Sequence, residues 1–159
     1  MVVIDKDGYR FNYRVGAIVI KKSQMLLCHN AEGDYWYVPG GRVELGEDSR
    51  TALKRELQEE LGQRVRVGRV LWMIENLFEL QGRKFHEIGL YYSVDWPLEP
   101  LVGDFSGLEN GQPITFRWFP LGQLPNLQPA FLKTAVRALP VRAKHVIFNE
   151  ISAQTIGLA

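Results

Sequence analysis

One capped amphipathic helix, set between β-rich stretches, constrains what this chain can fold into more than any other feature. Asp48 or Ser49 can cap a helix start, and Gly62 suits the left-handed stop that ends one. Between them Leu53, Leu57 and Leu61 recur every fourth position, an apolar stripe that must pack against something else. Strands are available to receive it. Segment 10–20, RFNYRVGAIVI, is rich in β-branched and aromatic residues and leads through KKSQ into MLLCHN at 25–30, which predicts a strand pair. Residues 65–80 and 84–96 read as a long hairpin closed by Gln81-Gly82-Arg83. Pro39-Gly40-Gly41 breaks any regular element, so a loop precedes the helix. The Pro- and Gly-studded stretch 97–113 predicts surface loop, ITFRWFP at 114–120 a short strand, and PAFLKTAVRAL at 129–139 a second helix. VRAKHVIFNEIS at 141–152 alternates like a late strand. The resulting order, β, helix, β-hairpin, β, helix, predicts an α/β fold in which helices cover a mixed sheet.

A chain of 159 residues with 46% hydrophobic content fits a single domain, 1–159, and no linker, repeat or low-complexity tract divides it. The formal net charge of +1 provides no broad cationic field, so a nucleic acid polymer is not an expected partner. Cys28 is the lone cysteine, which excludes an internal disulfide and predicts a small core residue. No apolar run approaches the ~20 residues that cross a bilayer, and the charged start MVVIDKDGYR lacks a signal sequence's apolar stretch. A cytoplasmic protein without a membrane partner is the expectation. A homodimer stays open.

The chemistry concentrates on the first helix. Glu56, Glu59 and Glu60 stand at i, i+3 and i+4, which puts all three carboxylates on one face near the helix C-terminus. Like charges there repel, and the macrodipole disfavours anions at that end. A cation offsets both costs, and hard oxygen donors on a rigid face suit Mg²⁺ or Mn²⁺. Taken alone, such a pattern is equally that of a solvated helix face balanced by Lys54 and Arg55.

The surrounding frame separates the two readings. GRVELGEDSRTALKRELQEELGQ at 41–63 resembles the Nudix box of the Nudix hydrolases (MutT-like), with Gly41, Glu47, Arg55, Glu56, Leu57, Glu59, Glu60 and Gly62 at the required positions. Gln63 departs from the family's usual aliphatic residue at a packing position. WYVPGG before the box and WFPLGQL at 118–124 extend the likeness over most of the chain. The resemblance implies an α/β/α sandwich with a mixed β-sheet, and a pyrophosphohydrolase dependent on divalent metal. It implies that Glu56, Glu59 and Glu60 ligate Mg²⁺ (or Mn²⁺) with a Gly40 or Gly41 carbonyl, and that Arg55 points away from the metals to pair with Glu47. The implied substrate is a nucleoside diphosphate linked to another group: a nucleoside triphosphate, ADP-ribose or another nucleotide sugar, or a dinucleoside polyphosphate. The competing reading is a non-catalytic module that senses a nucleotide, although such modules tend to lose box acids and none is lost here.

Outside the box, the family's recruitment of a later acid as base or extra ligand nominates Glu87 first and Glu75 second. His29, His86 and His145 lack metal-ligand spacing and read as structural. Trp36, with Tyr35 and Tyr37, could stack on a base; Trp72, Phe78, Tyr91 and Trp118 read as core. Among Arg10, Arg14, Arg42, Arg83 and Lys84, Arg42 beside the glycines is the foremost candidate to grip phosphate.

Overall fold

The computed structural model describes residues 1–31 and 33–151; the end of the 1–159 domain assignment lies outside them. In chain order the elements are β1 (Val3–Lys6), β2 (Tyr9–Ile18), β3 (Ile20–Lys21), β4 (Gln24–His29), β5 (Trp36–Tyr37), β6 (Gly40–Arg42), α1 (Ser49–Leu61), β7 (Arg66–Leu80), β8 (Arg83–Asp95), β9 (Phe105–Glu109), β10 (Gln112–Pro120), β11 (Leu127–Gln128), α2 (Leu132–Ala135) and β12 (Lys144–Asn149). They form an α/β fold with two mixed sheets. One runs β1-β2-β8-β7-β12 with β6 on the edge of β2; the other runs β11-β5-β4-β10-β9 with β3 on β4. The pairs β2–β8, β7–β12 and β5–β11 are parallel and the rest antiparallel.

The predicted helix forms where its end signals stand. The Asp48 carboxylate accepts from the Thr51 N–H at 2.9 Å, and Gly62 adopts φ 66° and returns its N–H to the Gln58 carbonyl. Ala52, Leu53 and Leu57 are wholly buried against Val15, Ala17 and Tyr92 of one sheet and Leu26, Cys28 and Phe116 of the other. A second core gathers Ile18, Leu71, Trp72 and Ile74 with Leu127, Leu132 and Val136 around α2. Cys28 lies in the first core as expected, and burial holds its thiol pKa well above the usual range.

The long hairpin also stands as read, with Gln81 and Gly82 both at positive φ, the signature of a tight primed turn. Three expectations need correction. Residues 10–20 and 25–30 are not one hairpin: only Ile20–Lys21 pairs with β4, because β2 departs to lie between β1 and β8. The helix predicted at 129–139 contracts to Leu132–Ala135, for its apolar side chains close the second core within one turn. The 97–113 loop contains a strand, β9, paired with β10 across Asn110-Gly111, both at positive φ.

Candidate active site

Two glycines on β6 set the distance between sheet and helix. Gly41 pairs with Val15 and Gly40 with Gly16 on the edge of β2. A Cβ on Gly41 would lie 2.3 Å from Cδ of Glu56, so that carboxyl group occupies the space a side chain would fill. Gly40 has φ 151°, and its Cβ would fall 2.1 Å from the Val15 carbonyl oxygen. Only bare backbone fits at Gly40, whereas at Gly41 a side chain would have to displace the Glu56 carboxyl.

The three glutamates do not stand in one outward row. Leu53, Leu57 and Glu60 share a stripe at i, i+4 and i+7, so Glu60 points inward with the leucines and is only 4% exposed. Glu59 points outward, its side chain 60% exposed, and Glu56 lies between them. Burial first, then the charges of Glu56 and Glu109, push the Glu60 carboxyl up to about 9, opposed by a hydrogen bond from the Gly40 backbone. Burial is also the main cause that raises the Glu56 pKa.

Arg55 does not point away from this group. It grips Glu47 with two bonds of 2.9 Å, as the resemblance implies, and its Nη1 also donates to Glu56 at 2.9 Å and to Glu59 at 3.3 Å. Nη2 reaches the Arg42 carbonyl at 3.2 Å, tying helix, loop and β6 together. Glu47 first, and then Glu56, hold its guanidinium well above its ordinary pKa, against the opposing effect of burial. With Arg55 between Glu56 and Glu59, no three His, Cys, Asp or Glu side chains converge at metal-binding distance among the described residues.

The arrangement nonetheless fits a divalent cation. Oε2 of Glu60 is buried without a hydrogen-bond partner, a costly state for a carboxylate that a cation bound there would relieve. The carboxylates of Glu56, Glu59 and Glu60 are hard oxygen donors, the kind Mg²⁺ and Mn²⁺ take. Glu56, Glu59 and Glu60 with a Gly40 or Gly41 carbonyl could supply such a site.

An acid that sequence reasoning missed stands in the same place. Glu109 ends β9, acts electrostatically on Glu60, and accepts from the Tyr37 hydroxyl at 3.3 Å. Gly107 permits this approach, since a Cβ there would lie 2.4 Å from both the Glu60 carbonyl oxygen and the Phe116 ring. Reading Gly103, Gly107 and Gly111 as loop hid the strand. The signal that could have found it is Asn110-Gly111, a strong hairpin turn between alternating residues.

The remaining candidates disperse. Glu87 lies on β8 opposite Asn12 of β2, accepting from the Asn12 amide at 2.7 Å with Arg14 at 3.9 Å; Arg14 in turn acts on Glu56 and Glu60. Glu75 faces the other side of the sheet, bonded to His145 at 2.6 Å. His86 packs edge-on to Phe11, and His29 lies beside Trp36. Trp36 itself is flanked by His29, Phe119 and Arg117. Trp72 and Trp118 are buried as read, Tyr91 packs on the second core, and Phe78 stacks on Phe85 at 5.0 Å. A cavity of about 560 Å³ lined by Arg66, Arg69 and Asp95 contains no box residue.

Comparison with known proteins agrees with this geometry. The NUDIX domain family model matches residues 10–139, and the chain belongs to that family. It is similar to the RNA pyrophosphohydrolases of Ruthia magnifica subsp. Calyptogena magnifica, 43% identical over 61 residues, and of Haemophilus ducreyi, 39% over 71. These matches cover 38% and 44% of this chain, and the chain spans about a third of the curated relatives' length, 33% and 35%. Among solved structures, a MutT NUDIX hydrolase from Burkholderia pseudomallei superposes with TM-score 0.54 at 25% identity, covering 72% of this chain and 87% of that one. An ADP-ribose pyrophosphatase from Streptococcus suis 89-1591 shares the fold, with TM-score 0.55 at 20% identity, covering 86% of this chain and 98% of that one. No helix among the described residues is long and apolar enough to cross a membrane.

Proposed function

We propose that this chain is a pyrophosphohydrolase that uses Mg²⁺, or Mn²⁺, to cleave a phosphoanhydride bond in a small nucleotide-type substrate. The observation that carries the reading is Glu60: an acid buried on the helix's own packing stripe, one oxygen unpartnered, with Glu56 and Glu109 as acidic neighbours. A cation bound there would offset the cost of ionising that group and give its unpartnered oxygen a partner. A bound divalent ion would supply neutralisation of phosphate charge and acidification of water.

The chain's own residues divide the remaining work. Glu56, Glu59 and Glu60 would hold the ion with a glycine carbonyl, Gly41 leaving room for the Glu56 carboxyl. The Arg55–Glu47 pair positions the loop and does not touch substrate. Glu109 stands closer to the box acids in its electrostatics than Glu87, which makes it the better candidate to take the proton from water. Arg42 and the Gly40 backbone face the substrate's phosphates, while Trp36 braces the strand that carries Tyr37.

The test is hydrolysis of a panel of nucleoside triphosphates, nucleotide sugars and dinucleoside polyphosphates with Mg²⁺ and with Mn²⁺, products resolved by chromatography. Release of a nucleoside monophosphate or diphosphate from at least one compound is the expected result. Tight binding of one nucleotide with no turnover by either metal would replace this reading with a nucleotide sensor.

A further inference from the structure

Three of the five basic residues Arg10, Arg14, Arg42, Arg83 and Lys84 are already matched. Arg10 and Arg83 both bind Asp5, at 2.8 and 3.1 Å, and Lys84 lies over the Tyr9 ring. Arg14 and Arg42 are the exceptions. They are register partners in the antiparallel pair β2–β6, so their side chains leave the same face as direct neighbours. Two guanidinium groups placed opposite one another repel, and Arg14 and Arg10 both lower the Arg42 pKa, after burial itself.

Neither cation has its donors filled. The nearest carboxylate to Arg14 is Glu87 at 3.9 Å, beyond hydrogen-bond reach. The same Glu87 oxygen is held instead by the Asn12 amide at 2.7 Å, and Asn12 is itself 1% exposed in β2. Arg42 has no carboxylate partner among the described residues, and its Nε is buried without any acceptor. Its Nη1 donates to the Met1 sulfur at 3.0 Å, a weak acceptor. Between them, two charged forks present open donors next to the box, for Arg14 acts on Glu56, Glu60 and Glu109. Planar donor forks of this kind match phosphate oxygens.

We propose that Arg14 and Arg42 form a receptor for a phosphate outside the anhydride being cleaved, so that the chain prefers substrates with three or more linked phosphates over diphosphate-linked sugars. This rests on the hydrolase reading above for its biological use, but the receptor itself is testable without turnover. The probes are inorganic tripolyphosphate and pyrophosphate, titrated calorimetrically into the wild type and into R14Q, R14K and R42Q. Tripolyphosphate should bind the wild type more tightly than pyrophosphate, and R14Q and R42Q should each weaken it about 10- to 100-fold, as expected for lost charge-assisted bonds. R14K, which keeps the charge but not the fork, should fall between R14Q and the wild type and controls for a folding defect. Equal affinity of the wild type for the two probes, or wild-type affinity in R14Q and R42Q, would overturn the receptor. Loss of tripolyphosphate binding in a chain that hydrolyses nothing would uphold it while refuting the hydrolase reading.

Discussion

Glu60→Gln is expected to lower hydrolysis roughly 10³-fold or more while leaving the metal-free protein at least as stable as the wild type. Glutamine matches the shape of glutamate but cannot offer two anionic oxygens to a cation. In the metal-free fold that same loss is harmless, because the carboxyl is buried, one oxygen lacks a partner and its acidic neighbours disfavour ionisation. A residue kept for packing would behave in the opposite way, losing stability and activity together. Steady-state rates and a thermal melt on the same preparation measure both quantities. Full activity in the variant would remove Glu60 from the mechanism.

The paired glycines should separate folding from chemistry just as clearly. Gly40→Ala places a methyl 2.1 Å from the Val15 carbonyl oxygen, at a backbone φ of 151°. Backbone cannot yield there, so destabilisation of about 3 kcal/mol or more is expected, within the range of the severe single substitutions. Gly41→Ala instead meets the Glu56 carboxyl group, the far end of a flexible side chain. The fold should survive with little change in melting temperature, while the displaced carboxyl costs roughly 10²-fold in rate. Denaturant unfolding beside rate measurements tests the contrast, and equal stability losses in the two variants would refute it.

The sequence made α1 legible because every signal there is local. Asp48, Gly62 and the leucine spacing are set by one helix, and the box frame is contiguous. The three glutamates were legible as a cluster but not in their burial. Helical spacing from Glu56 to Glu60 suggested one shared face, whereas Glu60 belongs by its offset from Leu53 and Leu57 to the buried stripe. That offset was available in the sequence. Arg55 was read through its partner Glu47 alone, yet one planar guanidinium with five donors reaches Glu56 and Glu59 as well.

Glu109 and the Arg14–Arg42 pair were harder for a different reason. Their positions depend on long-range pairing: β9 against β10, β6 on the edge of β2, and β2 parallel to β8. Composition carries no register, so Arg42 stood out by its place beside the glycines but Arg14 did not, until pairing matched Arg10, Arg83 and Lys84 with Asp5 and Tyr9. Gly107 misled in the same way. Its missing side chain looked like loop chemistry but serves close packing on the carbonyl of Glu60.

The claim that the box acids form a divalent-metal site is tested most directly by titrating Mn²⁺ into wild type and E60Q, with free ion followed by electron paramagnetic resonance. At least one Mn²⁺ should bind the wild type, and binding should be at least about tenfold weaker in E60Q, from the loss of one anionic ligand. Identical Mn²⁺ binding by the two proteins, or none by the wild type, would contradict it.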